Sequence, residues 1–260
     1  MEKTNLETNE SQQANDQVSN QINQIQMNKI DDQLPSAWDL LEESWQVFVD
    51  RWETFVGLVA IMFSFPILII LIPIVFKKYY PDIGLTVLAF ISPLFLLLLL
   101  LSSWSLISLV CASANPNLEI KESLKQGWRK LISYWWILSL QGIIIAGGYL
   151  LFIVPGIIFY VWFSLASYVF VVEDIRGMDA LLKSKEYIKG YWGNVFWRIL
   201  FLATVAYLID LLINLPFLII KQLPLNLLPA LVNLIIIPVS IIYIYQIYSH
   251  LREIKKDLVF

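Results

Sequence analysis

Cysteine and histidine are almost absent from this sequence of 260 residues, which holds only Cys111 and His250. A single thiol excludes an internal disulfide, and a metal or catalytic site needs several converging donors. The sequence also has no Gly-rich phosphate loop, no nucleophile elbow and no His-x-x-x-His pair. We therefore expect no catalytic site, no cofactor and no metal ion, and we interpret the chain as a non-enzyme.

Charged residues are also scarce, at 15% of the sequence against 58% hydrophobic residues. Beyond residue 53 most charges lie in short clusters between long apolar runs. A hydrocarbon core about 30 Å thick requires such runs, of roughly 17 residues or more, from helices that rise 1.5 Å per residue. The segment Leu94–Leu101 does not alternate between apolar and polar residues, as a membrane strand would. The predicted fold class is all-α, a polytopic helical membrane protein.

The first 33 residues hold 13 Asn or Gln residues and no aromatic residue. Such a composition cannot bury enough apolar surface to offset the entropy of ordering, so residues 1–34 are predicted to be a disordered tail. The tail lacks the basic-then-apolar start of a cleavable signal peptide. Residues 35–260 are predicted to form one membrane domain.

Six crossings are predicted in that domain, at about 54–76, 85–108, 134–154, 157–173, 195–217 and 225–248. The third and fourth lie in one apolar stretch, 131–172, which as a continuous helix would be about 60 Å long, twice the hydrocarbon thickness. Pro155 and Gly156 near its middle form a strong turn signal, so we expect a tight helical hairpin there.

The distribution of Lys and Arg predicts the orientation of these crossings. With both termini in the cytoplasm, 15 of the 18 basic residues lie on the cytoplasmic side, as the positive-inside rule requires. We therefore expect a multi-pass protein of the plasma or inner membrane with both termini cytoplasmic.

One pattern, Leu-x-x-small-x-x-x-apolar-x-x-x-Trp, occurs three times. Its copies are Leu41/Ser44/Phe48/Trp52, Leu124/Gly127/Leu131/Trp135 and Leu181/Ser184/Ile188/Trp192. Steps of three and four residues put each set on one face of a helix. We interpret each copy as an amphipathic helix on the membrane surface, followed by a Trp at the interface and then a crossing.

The three amphipathic blocks differ in charge. Residues 39–53 carry five acids and one base, whereas 119–130 and 176–189 each carry four bases and two acids. We hypothesise that the acidic block docks on the basic ones and forms a cytoplasmic collar, for example by pairing Glu42 or Glu43 with Lys183 or Lys185. By composition, block 119–130 is an equally good partner.

The segment from Pro155 to Trp192 combines a Pro-Gly-Ile turn, an apolar helix ending near an acid, and an Ala-Leu-x-x-Ser-x-x-x-x-x-Gly-x-Trp pattern. The matching residues are Pro155, Gly156, Ile157, Ala166, Tyr168, Val169, Val172, Glu173, Ala180, Leu181, Ser184, Gly190 and Trp192. This segment resembles the YciC-like membrane family, which includes the membrane domain attached to some glycerophosphodiester phosphodiesterases. The resemblance implies an integral membrane protein. It does not imply phosphodiesterase activity, because that catalytic domain is a separate soluble barrel. Lys185 departs from the pattern, since the family often has Trp after the Ser.

Asp210 is the one acid well inside an apolar run, and Asn214 follows one helical turn later on the same face. Intramembrane carboxylates are costly and often functional. Together with Gln141 they could line a polar interior. They could equally be interfacial or structural groups.

Two functions are compatible with these features. The chain acts without catalysis through its cytoplasmic-face amphipathic helices, on membrane lipids, anionic ones included, or on partner proteins. Alternatively, it is a small-solute transporter or channel that uses Asp210 and its polar neighbours. We expect no nucleic-acid partner, and the sequence does not define an oligomeric state.

Overall fold

The computed structural model describes residues 34–63, 84–219 and 227–257, with side-chain surroundings for 34–63, 97–215 and 231–256. The helices within these ranges are α1 (Ala37–Asp50), α2 (Trp52–Phe63), α3 (Gly84–Ala114), α4 (Ile120–Leu151), α5 (Ile153–Phe163), α6 (Ala166–Glu173), α7 (Met178–Ile188), α8 (Trp192–Ile219) and α9 (Leu227–Asp257). The predicted tail lies outside the described residues except for Leu34, which is buried in the core.

Among the residues that the structure describes, five helical segments are long and apolar enough to cross a membrane. They are Leu97–Ala114, Ile120–Leu151, Ile153–Glu173, Trp192–Leu215 and Leu231–Lys256. The predicted all-α class, with the long apolar helices of a polytopic membrane protein, is therefore confirmed. These segments correspond to the second to sixth predicted crossings. The first, 54–76, is described only as the short apolar helix α2, and its remainder lies outside the described residues.

Helices α4 and α5 form the expected hairpin, but the turn is at Phe152, whose backbone is extended (φ −164°, ψ 159°). Pro155 and Gly156 belong to the first turn of α5, so the predicted turn position is wrong by three residues. The first turn tolerates proline because its N–H groups have no partner within the helix. Gly148 and Gly156 bring the two helices together, since a Cβ on Gly148 would lie 3.0 Å from the Gly156 Cα.

Helix α4 runs without interruption from block 119–130 into the third crossing. The boundary that we expected between a surface helix and a crossing is therefore absent in this copy. A 32-residue helix is about 48 Å long, about 18 Å more than the hydrocarbon core. All of its charged residues precede Leu131, so the excess length is at the N-terminal end.

The predicted fourth crossing consists of two helices, α5 and α6. Ser164 and Leu165 interrupt it, and both residues stay in the right-handed helical region (φ −59°, ψ −27° and φ −94°, ψ −1°). The two helices therefore form one interrupted span that begins at Ile153, four residues before the predicted start.

Buried side chains are concentrated at one end of the bundle. Around α9 pack α1, α3, α6, α7 and α8, and the buried core includes Tyr243, Ile247 and Tyr248 of α9. At the other end the side chains around the α4–α5 turn are exposed. In the most apolar stretch of α8 only 6% of the residues are buried. We call the buried end the collar. It comprises α1, residues 120–131 of α4, Glu173, α7 and residues 246–254 of α9.

Candidate functional site: the collar

The small residue of each sequence copy lies at a close approach between helices. In the first copy the Ser44 hydroxyl lies 2.5 Å from both the Leu40 carbonyl and the Gln246 side-chain oxygen of α9. A hydroxyl has one proton to donate, and the Gln246 amide nitrogen is buried without a hydrogen-bond partner. Exchanging the amide oxygen and nitrogen of Gln246 lets its NH₂ group donate to the Ser44 hydroxyl, which then donates its own proton to the Leu40 carbonyl.

In the second copy Gly127 allows α4 to lie directly on α3. A Cβ at this position would overlap the Ser108 hydroxyl and would lie 3.1 Å from the Ser108 backbone nitrogen. The Ser108 hydroxyl itself donates to the Trp104 carbonyl one turn earlier in α3 (2.7 Å). Only a residue without a side chain fits between these two helices without displacing one of them.

In the third copy Ser184 of α7 bonds to the interruption between α5 and α6. Its hydroxyl donates to the Trp162 carbonyl (2.7 Å) and accepts from the Leu165 backbone nitrogen (3.2 Å). These groups lie where the interruption breaks the regular helical pairing, so a side chain from another helix satisfies them.

The patterned face of each copy therefore packs on neighbouring helices rather than lying on a membrane surface. The small residue and the apolar residue after it are buried in all three copies. The Trp residues that end the copies differ, because Trp52 is exposed whereas Trp135 and Trp192 are half-buried.

Glu173, at the end of α6, joins three elements of the collar. Its carboxylate accepts hydrogen bonds from the Tyr187 hydroxyl of α7 (2.8 Å) and the Tyr248 hydroxyl of α9 (2.6 Å). Arg252 lies 3.7 Å from the same oxygen, and the Glu173 side chain is only 14% exposed. Burial, and then Glu173 itself, raise the pKa of Tyr187, so this phenol stays protonated and donates.

Two arginines hold α1 in place through backbone carbonyls. Arg51 donates to the Ala112 and Leu118 carbonyls at the connection from α3 to α4. Arg198 of α8 donates to the Leu34 and Pro35 carbonyls just before α1. Charge-assisted bonds of this kind are stronger than neutral ones.

The predicted ion pairs between α1 and the basic blocks are wrong. Lys183 pairs with Glu186 on its own helix (3.0 Å), and Lys185 lies 4.4 Å from the centre of the Trp162 ring. The strongest packing of α1 is on α9, in which Val239 and Ile242 are buried. Apolar contact and the arginine–carbonyl bonds thus replace the charge pairing expected from composition.

The remaining motif residues have mainly structural positions. Ala180 and Leu181 are fully buried, and Gly190 ends α7 with a φ of +93°, a conformation that favours glycine. Trp192 stacks on Phe196 at 5.2 Å between ring centres. Sequence reasoning did not single out Tyr187 and Tyr248, which donate to Glu173. It also missed Gln246, Arg51 and Arg198. The signal that could have identified Gln246 is its position as a lone polar side chain on an apolar helix face.

The structure separates the candidate intramembrane polar residues. Asp210 is exposed, and Asn214 donates to its backbone carbonyl within α8 (2.8 Å). Gln141 is half-buried on α4, which packs mainly on α3, α5, α6 and α7, whereas α8 packs on α1, α5 and α9. Within the described ranges the helices thus give Gln141 and Asp210 no major shared interface.

A half-buried and an exposed tryptophan combine with basic side chains on the α3–α4 side of the collar. Trp104, Leu124, Lys125, Trp128 and Arg129 line an open groove of about 550 Å³. The rings of Trp104 and Trp128 meet edge to face at 5.4 Å, and the Trp104 indole donates to the Leu124 carbonyl (2.8 Å). Lys125 and Arg129, one helical turn apart, both border this groove and are exposed.

The described residues include no group of three or more His, Cys, Asp or Glu side chains that could hold a metal ion. Comparisons with protein-family models, curated proteins and solved structures found no match for this chain. The resemblance to the YciC-like family therefore stays a prediction.

Proposed function

We propose that this chain is a non-enzymatic protein of the plasma or inner membrane that binds anionic lipid headgroups through its collar. The collar would face the cytoplasm, with both termini on that side. The YciC-like resemblance and the excess of basic residues on the predicted cytoplasmic side support the location.

The groove on α4 is the observation that carries this proposal. It offers two exposed cations, Lys125 and Arg129, next to two indole rings, and none of its lining residues is acidic. A phosphate group can pair with Lys and Arg together, while Trp rings favour the depth of the headgroups. Each base near an anionic membrane surface contributes about 1 kcal/mol of attraction.

The position of the groove along α4 supports the same assignment. Every charged residue of α4 lies in the part that exceeds the length needed to cross the hydrocarbon core. The groove lies in this part, close to Leu131, where the charge-free part of the helix begins. Lys125 and Arg129 are therefore at the level at which phosphates would lie.

The test measures lipid binding to the purified protein in a neutral detergent. Phosphatidylglycerol and phosphatidylcholine with identical chains are titrated, and bound lipid is counted by native mass spectrometry. We expect the wild type to prefer phosphatidylglycerol. Lys125→Gln/Arg129→Gln should reduce that preference roughly ten- to thirtyfold, which is the loss of up to about 1 kcal/mol per base.

The matched control is Lys183→Gln/Lys256→Gln, which removes the same charge outside the groove. Its preference should stay close to that of the wild type. If both double variants lose the preference equally, only net charge matters and the groove is not a site. A wild type that does not distinguish the two lipids would also contradict the proposal.

A further inference from the structure

A second groove lies between α1, α8 and α9. Its one ionisable lining residue is the acid Glu42, whereas the groove on α4 is lined by two bases. The second groove has a volume of about 480 Å³, within the roughly 300–1,000 Å³ of small-molecule sites. Its lining residues are Trp38, Leu41, Glu42, Trp45, Leu202, Val205, Ala206, Ile209, Ile235, Ile236, Val239 and Ser240. Apart from Glu42 and Ser240, these residues are apolar or aromatic.

The groove exists because α8 and α9 pack closely next to the collar and less closely toward the opposite end of the bundle. Next to the collar the Tyr243 hydroxyl donates to the Arg198 carbonyl (3.3 Å), and Leu202 and Val239 are buried. Two turns from Leu202 along α8, Ile209 is 38% exposed, and one turn from Val239 along α9, Ile235 is 40% exposed. The two helices thus leave an opening between them on the surface of the bundle.

The wall that α8 contributes suits a hydrocarbon chain. Leu202, Val205, Ala206 and Ile209 follow one another at steps of three, one and three residues and form one apolar face. This face is about 10 Å long at 1.5 Å per residue. The small side chain of Ala206 leaves room in the middle of the wall.

The mouth of the groove is negatively charged and aromatic. Glu42 is the one ionisable residue among those that line it, and it lies between Trp38 and Trp45, on the same side of α1. The nearby guanidinium of Arg198 is directed at the Leu34 and Pro35 carbonyls. A carboxylate with an indole ring on each side of it along the helix offers both ion pairing and cation–π contact to an ammonium group.

We propose that this groove binds a cationic amphiphile, that is, one hydrocarbon chain with a single ammonium headgroup. The chain lies between α8 and α9, and the ammonium pairs with Glu42 beside the Trp38 and Trp45 rings. This site is separate from the basic groove on α4 and does not depend on the function proposed for it. The two grooves select opposite headgroup charges on the two sides of the collar.

The test uses the full chain in nanodiscs of neutral phosphatidylcholine, with empty nanodiscs as the partition control. Radiolabelled dodecyltrimethylammonium is the probe, and dodecyl sulfate is the anionic probe of equal chain length. We expect saturable binding of the cation and no saturable binding of the anion. Glu42→Gln should weaken cation binding about tenfold.

Two control variants separate the site from general effects. Glu43→Gln makes the same charge change one residue away, outside the groove lining, and should bind like the wild type. Ala206→Trp fills the groove and should abolish saturable binding, whereas Ala203→Trp, outside the lining on the same helix, should preserve it.

Three outcomes would overturn the proposal. Equal effects of Glu42→Gln and Glu43→Gln would show that overall charge attracts the probe. Saturable binding of dodecyl sulfate at the same site would show that the groove does not select charge. A wild-type dimer that Ala206→Trp dissociates would show that a second copy of the chain occupies the groove.

Discussion

At the scale of single residues, the small member of each repeated pattern is a packing residue. Ser44, Gly127 and Ser184 share neither a ligand nor a chemical role, and they contact α9, α3 and the α5–α6 interruption respectively. Their common property is little side-chain volume, which permits close helix approach in membrane bundles. The two serines add hydrogen bonds to buried polar groups that water cannot reach.

Gly127→Ala tests this role most directly. The added methyl group would overlap the Ser108 side chain and crowd its backbone, so α3 and α4 must separate. Overpacking costs about 1–3 kcal/mol, whereas removing a helical glycine returns only about 0.5–1 kcal/mol. We expect a net loss of about 1–2 kcal/mol in the free energy of unfolding, measured by denaturant titration in detergent.

Gly142→Ala is the matched control on the same helix, because a Cβ at Gly142 meets nothing within 4 Å. It should be neutral or slightly stabilising. Adding Ser108→Ala to Gly127→Ala removes the overlapping hydroxyl and should recover most of the loss. Equal stability of Gly127→Ala and Gly142→Ala would contradict the close contact between α3 and α4.

At the scale of helices, hydrophobic periodicity predicted which segments form helices but not how they connect. The five long apolar helices overlap the corresponding predicted crossings because long apolar runs have few alternatives. The turn at Phe152 and the unbroken start of α4 could not be predicted, because both depend on contacts between helices. Pro155 is equally compatible with a turn and with the first turn of α5.

The collar contacts were less predictable for the same reason. Ser184 was identified as part of a pattern, but its acceptor, the Trp162 carbonyl, becomes available only because the span is interrupted at Ser164. The bonds from Tyr187 and Tyr248 to Glu173 join residues 14 and 75 positions apart. Composition favoured charge pairing between blocks, whereas the folded chain uses apolar packing and carbonyl acceptors.

Ser184→Ala should loosen the attachment of α7 to the interrupted span formed by α5 and α6. The change leaves the Leu165 N–H and the Trp162 carbonyl without their partner in a buried position. Leaving such groups unpaired costs about 1–3 kcal/mol. We expect faster hydrogen exchange around Leu165 and a lower free energy of unfolding, by mass spectrometry and denaturant titration.

Ser139→Ala provides the comparison, since this exposed hydroxyl donates only to the Trp135 carbonyl within α4 (2.8 Å). Its loss should change stability by less than about 0.5 kcal/mol. Were exchange at Leu165 unaltered in Ser184→Ala, the interruption would not depend on α7.

At the scale of the whole molecule, the two ends of the bundle have opposite character. The collar is well packed and contains three helices joined by Glu173. The other end exposes large apolar side chains, with Leu150 at 87% and Phe152 at 74% exposure. Such a distribution suits a bundle whose apolar spans are surrounded by lipid as far as the outer interface, where the α4–α5 turn lies, and whose collar contacts water and headgroups.

The proposed orientation follows from the distribution of basic residues along the sequence and can be tested by thiol labelling. Cys111 is buried and is the one cysteine of the sequence. A Cys111→Ser background therefore leaves no natural thiol. Phe152→Cys places a thiol at the α4–α5 turn, and Glu186→Cys places one on the exposed side of α7 in the collar. In intact cells a membrane-impermeant maleimide should label Phe152→Cys but not Glu186→Cys. After permeabilisation it should label both. Labelling of Glu186→Cys in intact cells would place the collar outside, and the lipid-binding proposal would then lose the attraction of the anionic inner leaflet on which it depends.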